Sequence, residues 1–316
     1  MRIAVVGSYG AGLTMRVPRS PAPGETVSGG EFDEGPGGKG SNQAIGAARL
    51  GARVSLLTAV GDDTYGRAAR DLWAHEGVDS SHVVTADAPT MVGFILVEPS
   101  GENRIAIAPG ALDRLTPDHL APFRPAIAEA DVLVVSMEIP ADVVLGALRV
   151  ARECGTTTLL NPAPARPLAD EVWPLVDVIT PNQTEAPVLL GLDEDAVPTD
   201  RELVARLRER TGGTAVLTRG GLGALVDDGS GVREVPARPV SRVVDTTGAG
   251  DAFTAALAVA LAAGEDIADA VSRAAAAGAH AVTVAGVIPA LPTPEQLTAV
   301  PTHDTDRTHA ERNDTA

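Results

Sequence analysis

Several residue types are scarce in this 316-residue chain, and each scarcity excludes a class of protein. The single cysteine, Cys154, excludes an intrachain disulfide and a cysteine-based metal cluster. Positive charge is scarce as well: the formal net charge is −17, which argues against nucleic acid or an anionic membrane surface as the main partner. No apolar run approaches the length that crosses a bilayer, and the first residues enter a strand instead of a signal peptide. We therefore expect a cytoplasmic protein with no membrane segment.

Lysine is the scarcest charged residue. Lysine and arginine together number 25, and Lys39 is the only lysine among them. It stands in the glycine-rich string 35–43, which leads into a predicted helix. A compact ammonium on a flexible stem suits a phosphate or a sugar oxygen, and Asn42 can donate and accept hydrogen bonds, as sugar recognition requires. An ordinary loop with a helix cap is the alternative, but so many glycine and polar residues at one helix start favour a binding site.

The stretch that organises the chain is residues 245–253, Asp-Thr-Thr-Gly-Ala-Gly-Asp-Ala-Phe, which opens a long apolar helix. Three small residues at a helix start leave backbone N–H groups uncovered, which creates an anion site. Asp251 would repel a phosphate that was merely bound there. The acid is useful if it takes a proton from a hydroxyl while the N–H groups stabilise a phosphoryl group in transfer. A plain glycine-rich turn is the alternative, and the length of the string favours catalysis.

The remaining chain alternates buried strands with helices, which indicates an α/β fold with a parallel sheet. Short β-like pieces between residues 13 and 34, and a hairpin signal within residues 90–108, do not follow this alternation and predict a small inserted sheet. Glu138 follows a predicted strand, at the end where open α/β sheets place ligands. We predict one domain over residues 1–300 and a disordered tail over 301–316.

Asn182 and Glu185 stand three residues apart at a predicted helix start. Such a pair can hold a hydrated Mg²⁺, which prefers oxygen ligands. The same spacing is typical of a capping box, in which the two residues bond each other's backbone. On spacing alone, capping is the better interpretation.

Two strings together resemble the signatures of the ribokinase-like (PfkB) carbohydrate kinases: Gly37-Gly38-Lys39-Gly40 with Asn42, and residues 245–251. The resemblance extends over roughly residues 1–298. It implies a doubly wound, mostly parallel α/β sheet flanked by helices, with a β-sheet lid from residues 13–34 and 90–108. It also implies an ATP-dependent kinase that transfers the γ-phosphoryl group to a primary hydroxyl of a sugar, with Mg²⁺ and K⁺ as cofactors and a homodimer formed through the lid.

The resemblance assigns roles to particular residues. The base would be Asp251, and the anion hole would be the N–H groups of Gly248, Ala249 and Gly250. The residues facing the sugar or the transferring phosphate would be Gly38, Lys39, Asn42 and Glu138. Those along ATP would be Asn182, Thr218, Gly220 and Gly223, with Glu185 in the Mg²⁺ region, which overrides the capping preference. Potassium would be held by Asp245 and Thr247 with backbone carbonyls of Ala281, Val284 and Gly286.

Three positions depart from the family pattern. Gly10 and Gly12 stand where an Asn and an Asp usually bind sugar hydroxyls, and Ala290 replaces a usual serine of the potassium loop. The two glycines remove side-chain hydrogen bonds and are expected to leave extra volume beside the first strand. We therefore expect ribose to be a poor acceptor.

The expected function is thus an ATP-dependent sugar kinase, with two kinds of alternative. One is a kinase for a hexose, a sugar acid, a polyol or a nucleoside. The other is a sugar- or nucleotide-binding homologue without catalysis, against which Asp251 and its intact anion hole argue. A dinucleotide-dependent oxidoreductase is disfavoured, because the first strand is not followed by an adequate Gly-x-Gly-x-x-Gly.

Overall fold

The structure is a computed structural model that describes residues 1–100, 102–193 and 198–298. The predicted tail at 301–316 lies outside these residues. The strands are β1 (Arg2–Val6), β2 (Gly10–Arg16), β3 (Glu31–Gly37), β4 (Arg53–Leu57), β5 (Ala59–Gly61), β6 (Val84–Ala86), β7 (Val92–Val97), β8 (Asn103–Ala108), β9 (Val132–Ser136), β10 (Thr157–Asn161), β11 (Val178–Ile179), β12 (Thr214–Thr218), β13 (Ala224–Asp227) and β14 (Arg233–Val235). The α-helices are α1 (Lys39–Arg49), α2 (Thr64–His75), α3 (Leu120–Glu129), α4 (Ala141–Cys154), α5 (Glu185–Leu189), α6 (Asp200–Thr211), α7 (Ala249–Ala262), α8 (Ile267–Ala281), α9 (Val287–Ala290) and α10 (Pro294–Thr298).

An eight-stranded sheet forms the centre of the molecule, in the order β14-β13-β12-β11-β10-β9-β1-β4. The strands from β12 to β4 are parallel, and β13 and β14 are antiparallel at one edge. The chain leaves β1 toward β4 and later returns on the other side of β1 with β9. Because the connections diverge there, the carboxyl ends of β1 and β9 frame a crevice in which such sheets bind ligands. The predicted doubly wound, mostly parallel fold is confirmed.

The sheet separates two hydrophobic cores. Alternate residues of β1 point to opposite faces, so Ile3 and Val5 join one core while Ala4 and Val6 join the other. The first core includes residues of α1, α2, α7 and α8, and the second includes residues of α3, α4, α5 and α6. Among the described residues, no helix has the length and apolar character needed to cross a membrane.

Helices α1 and α7 approach each other very closely. A Cβ atom added at Gly46 of α1 would lie 2.8 Å from the Cβ of Ala255 on α7. Only small residues permit such an approach, because a side-chain carbon at this position would overlap the facing helix. The two helices carry the candidate catalytic residues, so this contact determines the distance between them.

A second sheet of four strands, the lid, has the order β3-β2-β7-β8. Strands β2 and β7 run parallel, and the other two pairs are antiparallel. The paired strands begin at Gly10 and extend to Gly37, beyond the predicted bounds 13–34. Glycine has low β-propensity, so the pattern of the sequence understates the strands at these ends. Gly10 and Gly12 therefore belong to the lid itself.

Asp63 fastens the start of the second lid segment to the main body. Its carboxylate accepts hydrogen bonds from the Thr90 N–H at 2.7 Å and the Thr90 hydroxyl at 2.7 Å, and it caps α2 by accepting from the Gly66 N–H at 2.8 Å. Burial alone would raise the pKa of Asp63, but these bonds outweigh it and lower the pKa below its ordinary value. The lid is thus anchored next to Met91, the residue before β7.

Candidate active site

The crevice between β1 and β9 brings together three elements that are distant in sequence. Ser8 follows β1, and its hydroxyl donates to the carboxylate of Glu138, which follows β9. The same Glu138 oxygen accepts from the backbone N–H of Lys39 at 2.9 Å. Glu138, predicted at a strand end, therefore joins the ends of both strands to the start of α1.

Two glycines allow α1 to begin so close to β1. Gly38 has φ 91°, a left-handed conformation that favours glycine, and a Cβ there would lie 2.6 Å from the Cα of Tyr9. At Gly40 a Cβ would lie 2.6 Å from the Cα of Gly7. The two glycines therefore bring the start of α1 against the segment that follows β1, which positions Lys39 and Asn42 at the crevice.

Asp251 lies in the first turn of α7 and is 6 % exposed. One of its oxygens, Oδ2, accepts from Asn42 Nδ2 at 2.8 Å, and the other, Oδ1, accepts from Gln43 Nε2 at 3.0 Å. Burial raises the pKa of Asp251, and it outweighs the opposite effects of the Lys39 charge and the two amides. A carboxylate with a raised pKa and a fixed orientation is suited to accept a proton.

The start of α7 provides N–H groups beside this carboxylate. Gly248 has φ 80°, which turns the chain into the helix. Within the described residues, the N–H groups of Gly248, Gly250 and Asp251 have no hydrogen-bond partner. The N–H of Ala249 differs from the prediction, since it donates to the Thr246 carbonyl at 3.3 Å in a tight turn. The N–H groups of Gly248 and Gly250 are therefore available to an anion, whereas that of Ala249 is partly engaged.

Lys39 lies among three carboxylates, those of Asp251, Glu138 and Glu185. Burial lowers the pKa of Lys39, but the attraction of Asp251, Glu138 and Glu185 outweighs it, so that the pKa lies above its ordinary value. Within the described residues, the ammonium makes no hydrogen bond of its own. The lone lysine is therefore charged and available for a ligand.

Asn182 and Glu185 show the reciprocal bonds of a capping arrangement. The side-chain oxygen of Asn182 accepts from the Glu185 N–H at 2.8 Å, and Glu185 Oε2 accepts from the Asn182 N–H at 2.9 Å. Burial raises the pKa of Glu185, while the Asn182 N–H and the Lys39 charge oppose this. Glu185 Oε1 has no hydrogen-bond partner in the part of the chain that the structure describes. The pair therefore makes the capping bonds that the spacing predicts, and the Glu185 carboxylate also interacts electrostatically with Lys39.

The other residues that the sequence predicts along ATP lie next to this pair. Thr218 ends β12 and bridges to Asn182, with its N–H donating to the Pro181 carbonyl at 2.9 Å. Gly220 has φ 54° and Gly223 has φ 82°, and a Cβ at Gly223 would lie 2.2 Å from the Val235 carbonyl oxygen. These glycines form the turn beyond β12, at the same edge of the sheet as Glu138.

Asp245 connects the segment before α7 to the segment after α8. Its carboxylate accepts from the Thr247 N–H at 2.9 Å and from the Gly286 N–H at 3.0 Å. The Ala281 carbonyl accepts from the Val284 N–H at 3.2 Å. The structure thus places Asp245 beside Thr247 and Gly286, and the carboxylate oxygens of Asp245 are of the kind that suits a hard cation. Ala290 is buried and adds no side-chain oxygen.

Gly10 and Gly12 differ in their surroundings. A Cβ at Gly10 would lie 2.3 Å from Met91 Cε and 2.9 Å from the Met91 carbonyl oxygen. The extra volume expected at Gly10 is therefore absent, because Met91 fills it. A Cβ at Gly12 would meet nothing closer than the Gly35 carbonyl oxygen at 3.7 Å, and Gly35 and Gly93, its partners on the neighbouring strands, are equally open. The expected volume exists at Gly12 only.

Sequence patterns missed the roles of Gln43 and Met91. Gln43 is part of the glycine-rich string, but its neighbour Asn42 has the more familiar chemistry, and only the fold shows that both side chains reach Asp251. Met91 lies 81 positions from Gly10 and precedes a strand, where an apolar residue carries no functional signal.

A parallel α/β sheet with a small β lid, and a carboxylate beside uncovered helix N–H groups, define a phosphotransferase that acts on a hydroxyl group. The model of the pfkB family carbohydrate kinases matches residues 2–294. Ribokinase of Haemophilus influenzae is 34 % identical over 295 residues, 93 % of this chain and 96 % of that protein. Deoxyribokinase of Salmonella typhi is 32 % identical over 300 residues, 94 % of this chain and 97 % of that protein.

A solved structure supports the same assignment. The structure of Arabidopsis thaliana ribokinase complexed with ribose and ATP superposes with a TM-score of 0.86 and 27 % identity, covering 95 % of this chain and 98 % of that chain. The chain belongs to the pfkB family of carbohydrate kinases. It is an ATP-dependent sugar kinase, a phosphotransferase with an alcohol group as acceptor.

The environment of Lys39 generates a prediction. Because Asp251 is the largest attraction acting on the ammonium, Asp251→Asn is expected to lower the pKa of Lys39. After reductive ¹³C-methylation, the side-chain signal of the only lysine can be followed by NMR as a function of pH. Asp62→Asn serves as the control, because Asp62 is exposed and pairs with Arg67. An identical Lys39 pKa in Asp251→Asn and wild type would contradict this electrostatic coupling.

Proposed function

We propose that Asp251 is the general base of this sugar kinase and acts on a primary hydroxyl of the acceptor. In this mechanism the hydroxyl oxygen attacks the γ-phosphorus of ATP, its proton passes to Asp251, and ADP leaves. The observation that carries the proposal is the position of Asp251, buried and held by two amides beside the uncovered N–H groups of Gly248 and Gly250. Those N–H groups would stabilise the negative charge on the phosphoryl oxygens.

The phosphate side of the site would be formed by Lys39, Glu185 and the edge of β12. Lys39 is positively charged and can follow the transferring phosphate on its flexible stem. Glu185 has one oxygen without a protein partner in the described residues, which fits the bound water of a Mg²⁺ ion. Mg²⁺ would neutralise charge on the phosphates of ATP when bound. ATP would lie along Asn182, Thr218, Gly220 and Gly223.

The acceptor would lie between Asp251 and the lid. Glu138 and Asn42 would bind its hydroxyls, with Gly38 and Lys39 at the same helix start. On the lid side, Gly10 is covered by Met91 and Gly12 has no side chain, so neither position provides a hydrogen bond. We therefore propose that free ribose is a poor substrate, and that a sugar with a larger group or fewer hydroxyls toward the lid is preferred.

A potassium ion would support the start of α7. Asp245 and Thr247 precede the anion-site glycines, and Asp245 also bonds Gly286, so one cation could fix both segments. The cation would also offset the charge of Asp245. The carbonyls of Ala281, Val284 and Gly286 would complete its oxygen ligands.

A homodimer would form through the outer face of the lid. Met15, Phe32 and Phe94 are 44 %, 59 % and 58 % exposed, and the strand register places them on the face opposite Gly12. The Gly12 face also carries Arg16, whose charge acts on Asp245, so that face is turned toward the active site. Large apolar patches that the body does not cover are typical of interfaces. We also propose a cytoplasmic location, since ATP is the phosphoryl donor.

The first prediction concerns the base. Asp251→Asn is expected to lower kcat by at least about 10²-fold, the usual scale for a general base, because the amide cannot accept the proton. ATP binding, measured by calorimetry, should be preserved, since the N–H groups of α7 remain. Turnover near that of wild type would remove Asp251 from this role.

The second prediction concerns activation by potassium. Replacing tetramethylammonium by potassium at constant ionic strength should raise kcat, although Ala290 provides no ligand. Asp245→Ala should abolish the difference between the two salts. Equal rates of the wild type in both salts would contradict a functional site.

The proposed dimer predicts a change in mass. The double substitution Phe32→Ser and Phe94→Ser should yield monomers in sedimentation velocity experiments at micromolar concentration, because it removes the apolar contact. Val188→Ser is the control, since Val188 is an exposed apolar residue on α5, away from the lid. A monomeric wild type would refute the dimer.

The last prediction concerns the acceptor. The missing charged contact to a ribose hydroxyl at Gly12 should cost about 1.5–3 kcal/mol, or roughly 10- to 150-fold in affinity. We expect a high KM for ribose and better use of another sugar in a coupled ADP-release assay. Gly12→Asp should lower the KM for ribose, because its side chain has room.

Gly10→Asn is the matched control for the acceptor experiment. It should not improve ribose use, because its Cβ would overlap Met91. The acceptor proposal would be refuted if the wild-type KM for ribose were sub-millimolar and lower than the KM for every other acceptor tested.

A further inference from the structure

A chain of buried side-chain amides reaches Asp251 from the far side of the crevice. Gln43 Nε2 donates to Asp251 Oδ1 at 3.0 Å and to Asn161 Oδ1 at 3.0 Å. Asn161 Nδ2 donates in turn to the Thr180 carbonyl oxygen at 3.3 Å. All four residues are at most 8 % exposed, so water does not compete for these bonds. We infer that Gln43 and Asn161 are positioning residues that orient Asp251 for proton transfer.

The Thr180 carbonyl determines the donor and acceptor direction of this series of hydrogen bonds. The Thr180 carbonyl can only accept, so the Asn161 amide must turn its NH₂ group toward Thr180 and its oxygen toward Gln43. That oxygen can only accept as well, so Gln43 must turn its NH₂ group toward Asn161 and thereby toward Asp251. A flipped Gln43 would place its oxygen against a carboxylate oxygen. A backbone carbonyl that cannot flip thus determines which atom faces Asp251.

The cost of this arrangement supports a functional role. With its NH₂ group used twice, Gln43 leaves Oε1 buried without a partner within the described residues, and Asn42 leaves Oδ1 in the same state. Unpaired buried acceptors are destabilising, and native structures contain few of them. Both amides turn their NH₂ groups toward Asp251, and each leaves its side-chain oxygen unpaired as a result.

The amide chain has two consequences for the carboxylate. It holds the plane of the carboxylate on both oxygens, together with Asn42. It also stabilises the charged form, which opposes the effect of burial on the pKa of Asp251. The other charged groups that act on Asp251 are Lys39, which lowers its pKa, and Glu138, which raises it. The chain ends at Thr180, two residues before Asn182, and so connects the base to the nucleotide side.

The inference rests on the proposed role of Asp251, so its test needs a readout that does not depend on turnover. The ¹³C-methyl signal of Lys39 should respond when Asp251 titrates, because the two charges interact. Gln43→Met removes the N–H donor at similar volume, and it should move the midpoint of this response about one unit to higher pH. Asn161→Ala frees the Gln43 amide to rotate and should move it in the same direction by less.

The acid limb of the pH profile of kcat/KM for ribose, measured with saturating ATP, should also move to higher pH in both variants. Ser41→Ala is the matched control, because Ser41 precedes Asn42 on α1 and loses a buried bond from Trp73 Nε1 at 2.8 Å that does not involve Asp251. This variant is expected to lose stability and to leave both midpoints unchanged.

Two results would overturn the inference. One is a midpoint of the Lys39 response in Gln43→Met within about 0.3 unit of wild type. The other is an equal displacement in Ser41→Ala, which would assign the effect to general loosening of α1. If Gln43→Met does not fold, the same criteria apply to Asn161→Ala. If Asp251→Asn keeps nearly normal turnover, the proposed role of Asp251 as the base is refuted. The NMR result on the orientation of the carboxylate would still stand.

Discussion

The burial of one carboxylate governs the arrangement of this active site. Removing Asp251 from water disfavours its charged form. The surrounding elements must therefore supply the hydrogen bonds and favourable electrostatic interactions that water would have supplied. Helix α1 contributes two amide donors, and the start of α7 contributes the positive end of its dipole. The glycines at 38 and 40 are needed for the same reason, because they bring α1 within reach of the carboxylate.

Lys39 reduces the repulsion among the carboxylates around it. Three carboxylates that face one crevice would repel one another and any nucleotide phosphate. One ammonium among them offsets part of this charge and keeps its own charge despite burial. Arginine, abundant elsewhere in the chain, carries its charge on a larger planar head, whereas lysine carries it on a compact ammonium at the end of a flexible stem.

The sequence predicted the fold and the places where the site forms, because both depend on local patterns. Buried strands alternating with helices indicated the parallel sheet, and the glycine strings marked the starts of α1 and α7. Contacts between distant elements were not predictable. Gln43 and Asn161 are 118 positions apart, and the filling of the Gly10 position by Met91 depends on how the lid strands pair. The spacing of Asn182 and Glu185 predicted their capping bonds correctly but not the electrostatic interaction of Glu185 with Lys39.

The close approach of α1 and α7 makes the site sensitive to events outside it. Gly46 lies one turn beyond Asn42 and Gln43 on α1, and Ala255 lies one turn beyond Asp251 on α7. A single methyl group inserted between these positions would separate the helices and lengthen the bonds from both amides to the carboxylate. The orientation of the Asp251 carboxylate therefore depends on the small size of two residues that lie one helical turn away from it.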